Sequence, residues 1–468
     1  DLRQKIISGI KVRINGYRLD NEVLFDANEQ ANGFTVLPAA GVSQIGAAGI
    51  PDAQGVQNTI VLLANFNNTP LPSLTKAQVD DMFFNQTNDY YVKTSYNRTS
   101  ITGNSFGWYT MPLGQTCNYS AALSAAISAA DPSVNFASYG RLVMVFPFSN
   151  CGYAGLGTIG KMPVFTQDGT INMSVAWIAA SVPNTGLYEH EFGHNLGVHH
   201  ASFLNCGSVT AAQTGCAINE YGDWYDVMGP ITYQGQMNAP HRDYLGWFGA
   251  PNIATVTTDG TSTIGALETL TSNLQALKIQ RATNDYLYIE YRQPIDTDQN
   301  FSQITGTNVF LGGLLHSLQF DYKPLLLDVT PPTSASAPAL EVGNSFTDPA
   351  TGAVITALSR TGNGLTLNVQ LGKTDFTAPT VAISSPVASS TVSGTIAVSV
   401  SVSSGYAIDK VEYYLNGATT PFATATAPPF SISWDTTLSP NGTNWLLAKA
   451  YDTSGAAWGA WGNVGISP

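Results

Sequence analysis

The stretch YEHEFGHNLGVHH, residues 188–200, gathers four of the chain's six histidines around Glu191. On a helix, His190 and His194 are four apart and stack on one face at successive turns. Phe192 lies about 200° round from His190, with Leu196 close to it, so the helix buries an apolar side while presenting two imidazoles. Glu191 points about 100° away from His190. That offset is too large for a third ligand, but it lets the carboxylate reach a water held by a metal. Gly197 stands where a glycine of positive φ ends a helix, and the turn there brings His200 back toward the metal. His199 falls outside the spacing HExxHxxGxxH, which His190, Glu191, His194, Gly197 and His200 meet. Three neutral imidazoles suit Zn²⁺ and leave a fourth position for water. The ion brings that water's pKa toward about 7 and polarises a scissile carbonyl. Glu191 then takes the proton and delivers it to the leaving amine. The plain alternative is a polar helix face with satisfied hydrogen bonds. A bare HExxH is a short match that many helices meet by chance, but Gly and His at fixed offsets make coincidence small. His199 is read as a residue that supports the ligands from behind or lies on the surface, and His241 and His316, each alone in its segment, as structural.

The elements that must position these residues come from residues 56–250. NTIVLLANF (58–66) and RLVMVFPF (141–148) are continuous apolar runs, the pattern of strands buried on both faces. ITGNSFGWYTMPL and TINMSVAWIAAS (170–181) read as further strands. LTKAQVDDMFFNQTNDYYVKTSY (74–96) has helical spacing, with Val79, Met82, Phe83 and Tyr90 on one face and Ser73 or Thr75 as cap. SAALSAAISAA (120–130) is an Ala-rich helix. Strands alternating with helices predict an α/β domain. Ahead of it, residues 1–55 read as a small β-subdomain or the remnant of a pro-segment. Residues 251–373 lose all helix signals and repeat short strands, a β-sandwich pattern. After the linker GKTDFTAPT, residues 374–468 hold about seven short strands over roughly 90 residues, an immunoglobulin-like pattern without the cysteine pair. The expected fold is therefore multidomain: an α/β catalytic domain followed by all-β sandwich domains, with a small N-terminal β segment.

Composition narrows the function. Only 11% of the 468 residues are charged, against an average of about 25%, which suits a secreted protein rich in β-structure. The net charge of -13 and the lack of a basic run exclude nucleic acid as a partner. No apolar run approaches the roughly 18 residues of a transmembrane helix. The chain opens DLRQKII, without a basic n-region and apolar core, so a signal peptide is expected to have been removed or to lie outside it. Four cysteines allow three pairings. Proximity in sequence favours Cys117–Cys151 and Cys206–Cys216, and two bridges imply an oxidising compartment. DTDQN (296–300) could offer oxygen ligands to Ca²⁺, though a solvated loop is the plainer reading.

The extended motif resembles that of the metzincin zinc peptidases. YGDWYDVMGP (221–230) supplies Met228 as the Met-turn, which the resemblance makes a hydrophobic floor beneath the metal. MNAPHRDYLGW (237–247), YYVKTSYNRTSITGNSFGWYTMP (90–112) and NCGYAGLGTIG (150–160) are similar to the gametolysin family of secreted metallopeptidases. YLYIEYRQ, LLLDVTPP and ALEVGNSFTD resemble the β-rich segment that follows the catalytic domain in such bacterial peptidases. Two departures stand out. Some metzincins place a Tyr two residues after the Met, but here position 230 is Pro, and Tyr233 is not expected to act. No Cys precedes Cys117, so a cysteine switch within this chain is excluded, and latency would need an Asp such as Asp20 or Asp26, or a segment outside this sequence. The resemblance places Asp223 to Asp226 at the wall of the pocket beyond the scissile bond. The apolar strand before the helix is expected to pair with substrate backbone as edge strands do. The expected function is a secreted, monomeric zinc endopeptidase acting on protein or glycoprotein, with polymer or surface contact through the C-terminal domain. The alternatives are a surface-binding or adhesion protein with an inactive peptidase-like domain, and a zinc hydrolase of another bond.

Overall fold

The computed structural model describes residues 52–147, 151–209, 216–282, 285–300, 323–329, 338–361, 364–372, 374, 379–418, 420–453 and 457–467. It also gives the strand backbones Val12–Ile14, Tyr17–Leu19, Glu22–Leu24, Phe34–Val36 and Gly312–Leu318. The four leading strands form two antiparallel pairs. Asp20 and Asp26 lie outside the described residues, as does the side chain of His316.

The apolar run around Leu62 is the middle of β1 (Gly55–Phe66), and every residue from Ile60 to Phe66 is buried. It pairs in parallel with β2 (Thr99–Met111) on one side and β3 (Arg141–Phe146) on the other. Strands buried on both faces read as unbroken apolar runs because each face needs every second residue. Val61, Leu63, Val143 and Val145 face one core. Ile60, Leu62, Leu142 and Met144 face the other. Between β1 and β2 the chain forms a continuous helical stretch, α1 (Lys76–Thr94), whose middle, Asp81–Thr87, is π-helical. Thr75 caps it through a capping box with Gln78. α2 (Tyr119–Ala130) packs Leu123 and Ile127 on the second core.

Beyond β3 come β4 (Gly155–Gly157), β5 (Met162–Thr166) and β6 (Gly169–Ala179). β6 lies parallel to β3, from Ser174↔Arg141 to Ala179↔Phe146. Its outer side is covered by β4 and β5, both antiparallel to it. The strand preceding the histidine helix is therefore interior. The edge belongs to β4, which corrects the expectation that TINMSVAWIAAS meets substrate. The pairs Ala176↔Gly157, Trp177↔Leu156 and Ile178↔Gly155 occupy the backbone groups that a substrate would have used.

α3 (Thr185–Leu196) crosses the first core. Phe192 meets Phe83 and Tyr91 edge-on at 5.6 and 5.1 Å, contacts that add to its area burial. A hairpin follows, β7 (Ser202–Asn205) with β8 (Ala217–Asn219), and then the short helix α4 (Ala239–Tyr244). β7 also lies parallel to Pro324–Leu327, so the hairpin is part of an eight-stranded sheet built mostly from later residues. That sheet packs on a four-stranded one (Gly260–Gly265, Gly364–Gln370, Val354–Thr361, Ser345–Thr347) around Leu277, Ile289, Leu327, Ile355 and Leu367. Residues 380–466 form a second sandwich of three and five strands, with Val398, Tyr413, Trp434 and Leu446 in its core. No helix among the described residues is long and apolar enough to cross a membrane.

Both sequence-paired disulfides are present, Cys117–Cys151 and Cys206–Cys216. DTDQN is a short 3-10 helix rather than a solvated loop. Asp298 is fully buried against Arg292, and Asp296 pairs with Lys93 at 3.0 Å. These carboxylates are neutralised by cationic side chains, so the set does not fit the all-oxygen cage Ca²⁺ needs.

Candidate metal centre

α3 begins at Asn184, whose side chain accepts from Gly186 N at 2.9 Å, and ends at Gly197, which adopts φ 114°. Such a C-terminal glycine lets the chain reverse without a Cβ penalty. Gly197 N then bonds back to Gly193 O and His194 O. Every helical residue from Gly186 to Leu196 is buried, so the polar side chains of this helix stand in a dry environment.

The ligand atoms of His190, His194 and His200 come together within 4.8 Å of one another. Each imidazole is fixed through its Nδ1. His190 donates to Val227 O at 2.8 Å, His194 to Val198 O at 2.9 Å, and His200 to Glu220 Oε1 at 2.7 Å. With Nδ1–H committed, the Nε2 of each neutral ring carries only a lone pair. His194 Nε2 and His200 Nε2 stand 3.0 Å apart. Burial holds His190 down to about 4 and His194 well below its usual range, so both stay neutral. Two lone pairs facing each other in a dry site repel, and a shared cation turns the repulsion into coordination. The donor set therefore fits a divalent ion that prefers nitrogen ligands, Zn²⁺ above all.

Glu191 is buried beside the edge strand. A Cβ at Gly155 would lie 2.3 Å from Glu191 Oε1, and one at Gly157 would lie 2.8 Å from His194 Cβ. The two glycines of β4 thus let a bare backbone run against the carboxylate. Glu189 is buried too, and burial pushes its carboxyl up to about 8, so it is a neutral acid at pH 7. Met228 is fully buried. Its Sδ would sit 2.3 Å from a Cβ at Gly193, which places the thioether directly under the ligand helix. His199 is buried, which rules out the surface half of its expected role. His241 Nδ1 pairs with buried Asp226 at 2.9 Å, the structural role expected of it.

Asp223 and Asp226 do not line a pocket wall. Asp226 accepts from Met228 N and Asn238 N, each at 2.7 Å. Asp223 accepts from Tyr225 N and Asn238 Nδ2. Both carboxylates brace their own loop from inside. Tyr233 lies against Trp224, ring centroids 5.7 Å apart.

Sequence reasoning missed two residues. Glu220, which holds His200, and Tyr221 leave the β7–β8 hairpin together. The Tyr221 ring lies 4.0 Å from that of His200 and 5.8 Å from that of His190, with φ 60°. A left-handed conformation is uncommon for a bulky residue and clusters at functional sites. The available signal was a turn string, NEYG (219–222), carrying an acid and an aromatic after a disulfide-closed loop.

No curated protein matches the chain. Among solved structures, the fibronectin(III)-like modules of Clostridium thermocellum CbhA are similar to part of it. They share 26% identity over 19% of this chain and 94% of theirs, at a TM-score of 0.17. Wild-type OgpA from Akkermansia muciniphila is similar over 92% of this chain and 97% of its own, at 10% identity and a TM-score of 0.24. Residues 379–448 match the family model described as a bacterial Ig domain, so the chain ends in an Ig-like unit.

Proposed function

We propose that this chain is a secreted zinc-dependent endopeptidase of the metzincin type, with His190, His194 and His200 holding one Zn²⁺ and Glu191 as general base. The observation that carries the reading is the convergence of three imidazoles whose outer nitrogens are all engaged, leaving three ligand nitrogens within 4.8 Å of one another. When bound, the ion supplies Lewis acidity to a water and to the scissile carbonyl. The chain's own residues do the rest. Glu191, buried next to His190, accepts the proton of the attacking water and returns it to the leaving amine. β4 offers the sheet edge beside Glu191, where an extended peptide adds as a further strand. Glycine at 155 and 157 keeps that approach free of side chains. Met228 and Tyr221 close the floor and the flank of the histidine cluster.

The substrate class is protein or glycoprotein in the extracellular space, which suits two disulfides and a bacterial Ig domain. The Ig-like unit is assigned to contact with a polymer or surface, for which half-exposed Trp445 offers an aromatic face. The chain acts as a monomer. The test is zinc content together with casein or gelatin hydrolysis for the parent and Glu191→Ala. The variant is expected to keep the metal and lose nearly all turnover. A parent that cleaves neither protein would sink the peptidase reading.

A further inference from the structure

Charge is scarce in this chain, yet one fully buried place concentrates it. Arg292 follows directly on strand Asp285–Tyr291 and is 0% exposed. It pairs with Glu268 at 2.9 Å, Glu290 at 3.1 Å and Asp298 at 2.8 Å. Replacing such a cluster with apolar side chains is often neutral or stabilising, so stability alone does not account for it. What the guanidinium reaches is more informative. Its Nη2 donates to Tyr225 O at 2.6 Å and to Gln236 O at 2.8 Å. One nitrogen thus draws together the two ends of the segment that passes under α3. The surrounding carboxylates hold the end of this segment and the residues after it: Asp298 accepts from Gln236 N at 2.8 Å, and Glu290 accepts from Ala239 N at 2.5 Å.

On its other side this segment touches the histidine helix at two points. Val227 O fixes His190, and Met228, with Met237 just past the segment's end, presses on Gly193, 2.3 and 3.2 Å from where a Cβ would stand. We infer that Arg292 is a positioning residue for the metal centre, acting from the β-rich sheet through Tyr225–Gln236 to orient His190. Lysine would neutralise the carboxylates equally well. Only a planar fork serves the carboxylates and both carbonyls at once. The sheet behind the centre is on this account a part of it.

The inference rests on the histidines being a metal site, and its test separates the two. In the full chain, Arg292→Lys is compared with Glu268→Gln, which alters the cluster but leaves the bonds to Tyr225 O and Gln236 O intact. Zinc affinity is measured by competition with a chromophoric chelator, and ligand geometry by the visible spectrum of the Co²⁺-loaded protein. Arg292→Lys is expected to weaken zinc by roughly 10- to 100-fold, the range for outer-shell partners, and to shift the Co²⁺ bands. Glu268→Gln is expected to leave both unchanged. Should Arg292→Lys fail to fold, Arg292→Met combined with Glu268→Gln and Asp298→Asn, which buries less unpaired charge, carries the same measurement. Parent-like affinity and spectrum in the Arg292 variant, or equal losses in both variants, would overturn the positioning role alone. A parent that takes up neither Zn²⁺ nor Co²⁺ would overturn the metal site itself.

Discussion

Glu220 Oε1 lies 2.7 Å from His200 Nδ1, so the third histidine is oriented by a carboxylate while the two helical ones are oriented by backbone carbonyls. A carboxylate both fixes the ring and raises its basicity. It is also the only one of the three supports that a point substitution can remove. Glu220→Ala is expected to weaken zinc by roughly 10- to 100-fold, with Glu220→Gln, which can still accept from Nδ1, intermediate. Chelator competition on both variants measures this, and equal affinity for all three proteins would contradict it.

The edge strand makes a steric prediction. A methyl at position 155 would stand 2.3 Å from Glu191 Oε1, a distance no real contact tolerates, so Gly155→Ala must move the carboxylate. Displacement of about 1 Å costs on the order of 10²-fold in rate. Gly155→Ala is expected to retain zinc while kcat falls on that scale. Retention of full turnover would show that Glu191 is not working from this position.

Gly193→Ala probes the floor. The added methyl meets Met228 Sδ at 2.3 Å within a fully buried contact. Overpacking of this kind costs about 1–3 kcal/mol, so a lower Tm is expected by calorimetry. Gly193→Ala combined with Met228→Ala should recover part of the loss. An unchanged Tm for the single variant would mean that the helix and the Met228 loop are not packed as described.

Glu268 and Asp298 give stability a pH dependence. Burial raises both carboxyls above their usual range, Glu268 well above 4.5. The folded chain therefore keeps on Glu268 a proton that the unfolded chain releases near 4.5. The sign follows from linkage: the contribution is fully present below that value and is lost as pH rises through the raised folded pKa. Tm of the parent is expected to decline on this account above about pH 4.5. Glu268→Gln, which has no proton to release, should flatten the decline. A parallel decline in the variant would remove Glu268 as its source.

What could be read beforehand was whatever depends on period alone. The i, i+4 placement of His190 and His194, the stop at Gly197 and the double-sided burial of β1 and β3 follow from backbone geometry acting over a few residues. What could not be read depends on pairings distant in sequence. Glu220 reaches His200 across 20 residues because the β7–β8 hairpin pairs Phe203 with Asn219, and no local pattern encodes that. The edge strand is Gly-Leu-Gly, with almost none of the β-branched or aromatic content that marks a strand. Its presence pushed TINMSVAWIAAS into the interior. DTDQN has the composition of a solvated loop, and only tertiary packing reveals Arg292 waiting for Asp298. Asp223 and Asp226 look like exposed acids for the same reason, since a loop that folds inward around its own carboxylates has no periodic signature.

The central claim is that three histidines of one short stretch, and not four, hold an ion. Metal stoichiometry by mass spectrometry on the purified full chain, His199→Ala and His200→Ala tests it directly. About one zinc per chain is expected for the parent and for His199→Ala, and little or none for His200→Ala. A parent without zinc, or loss of zinc on changing His199 alone, would contradict it.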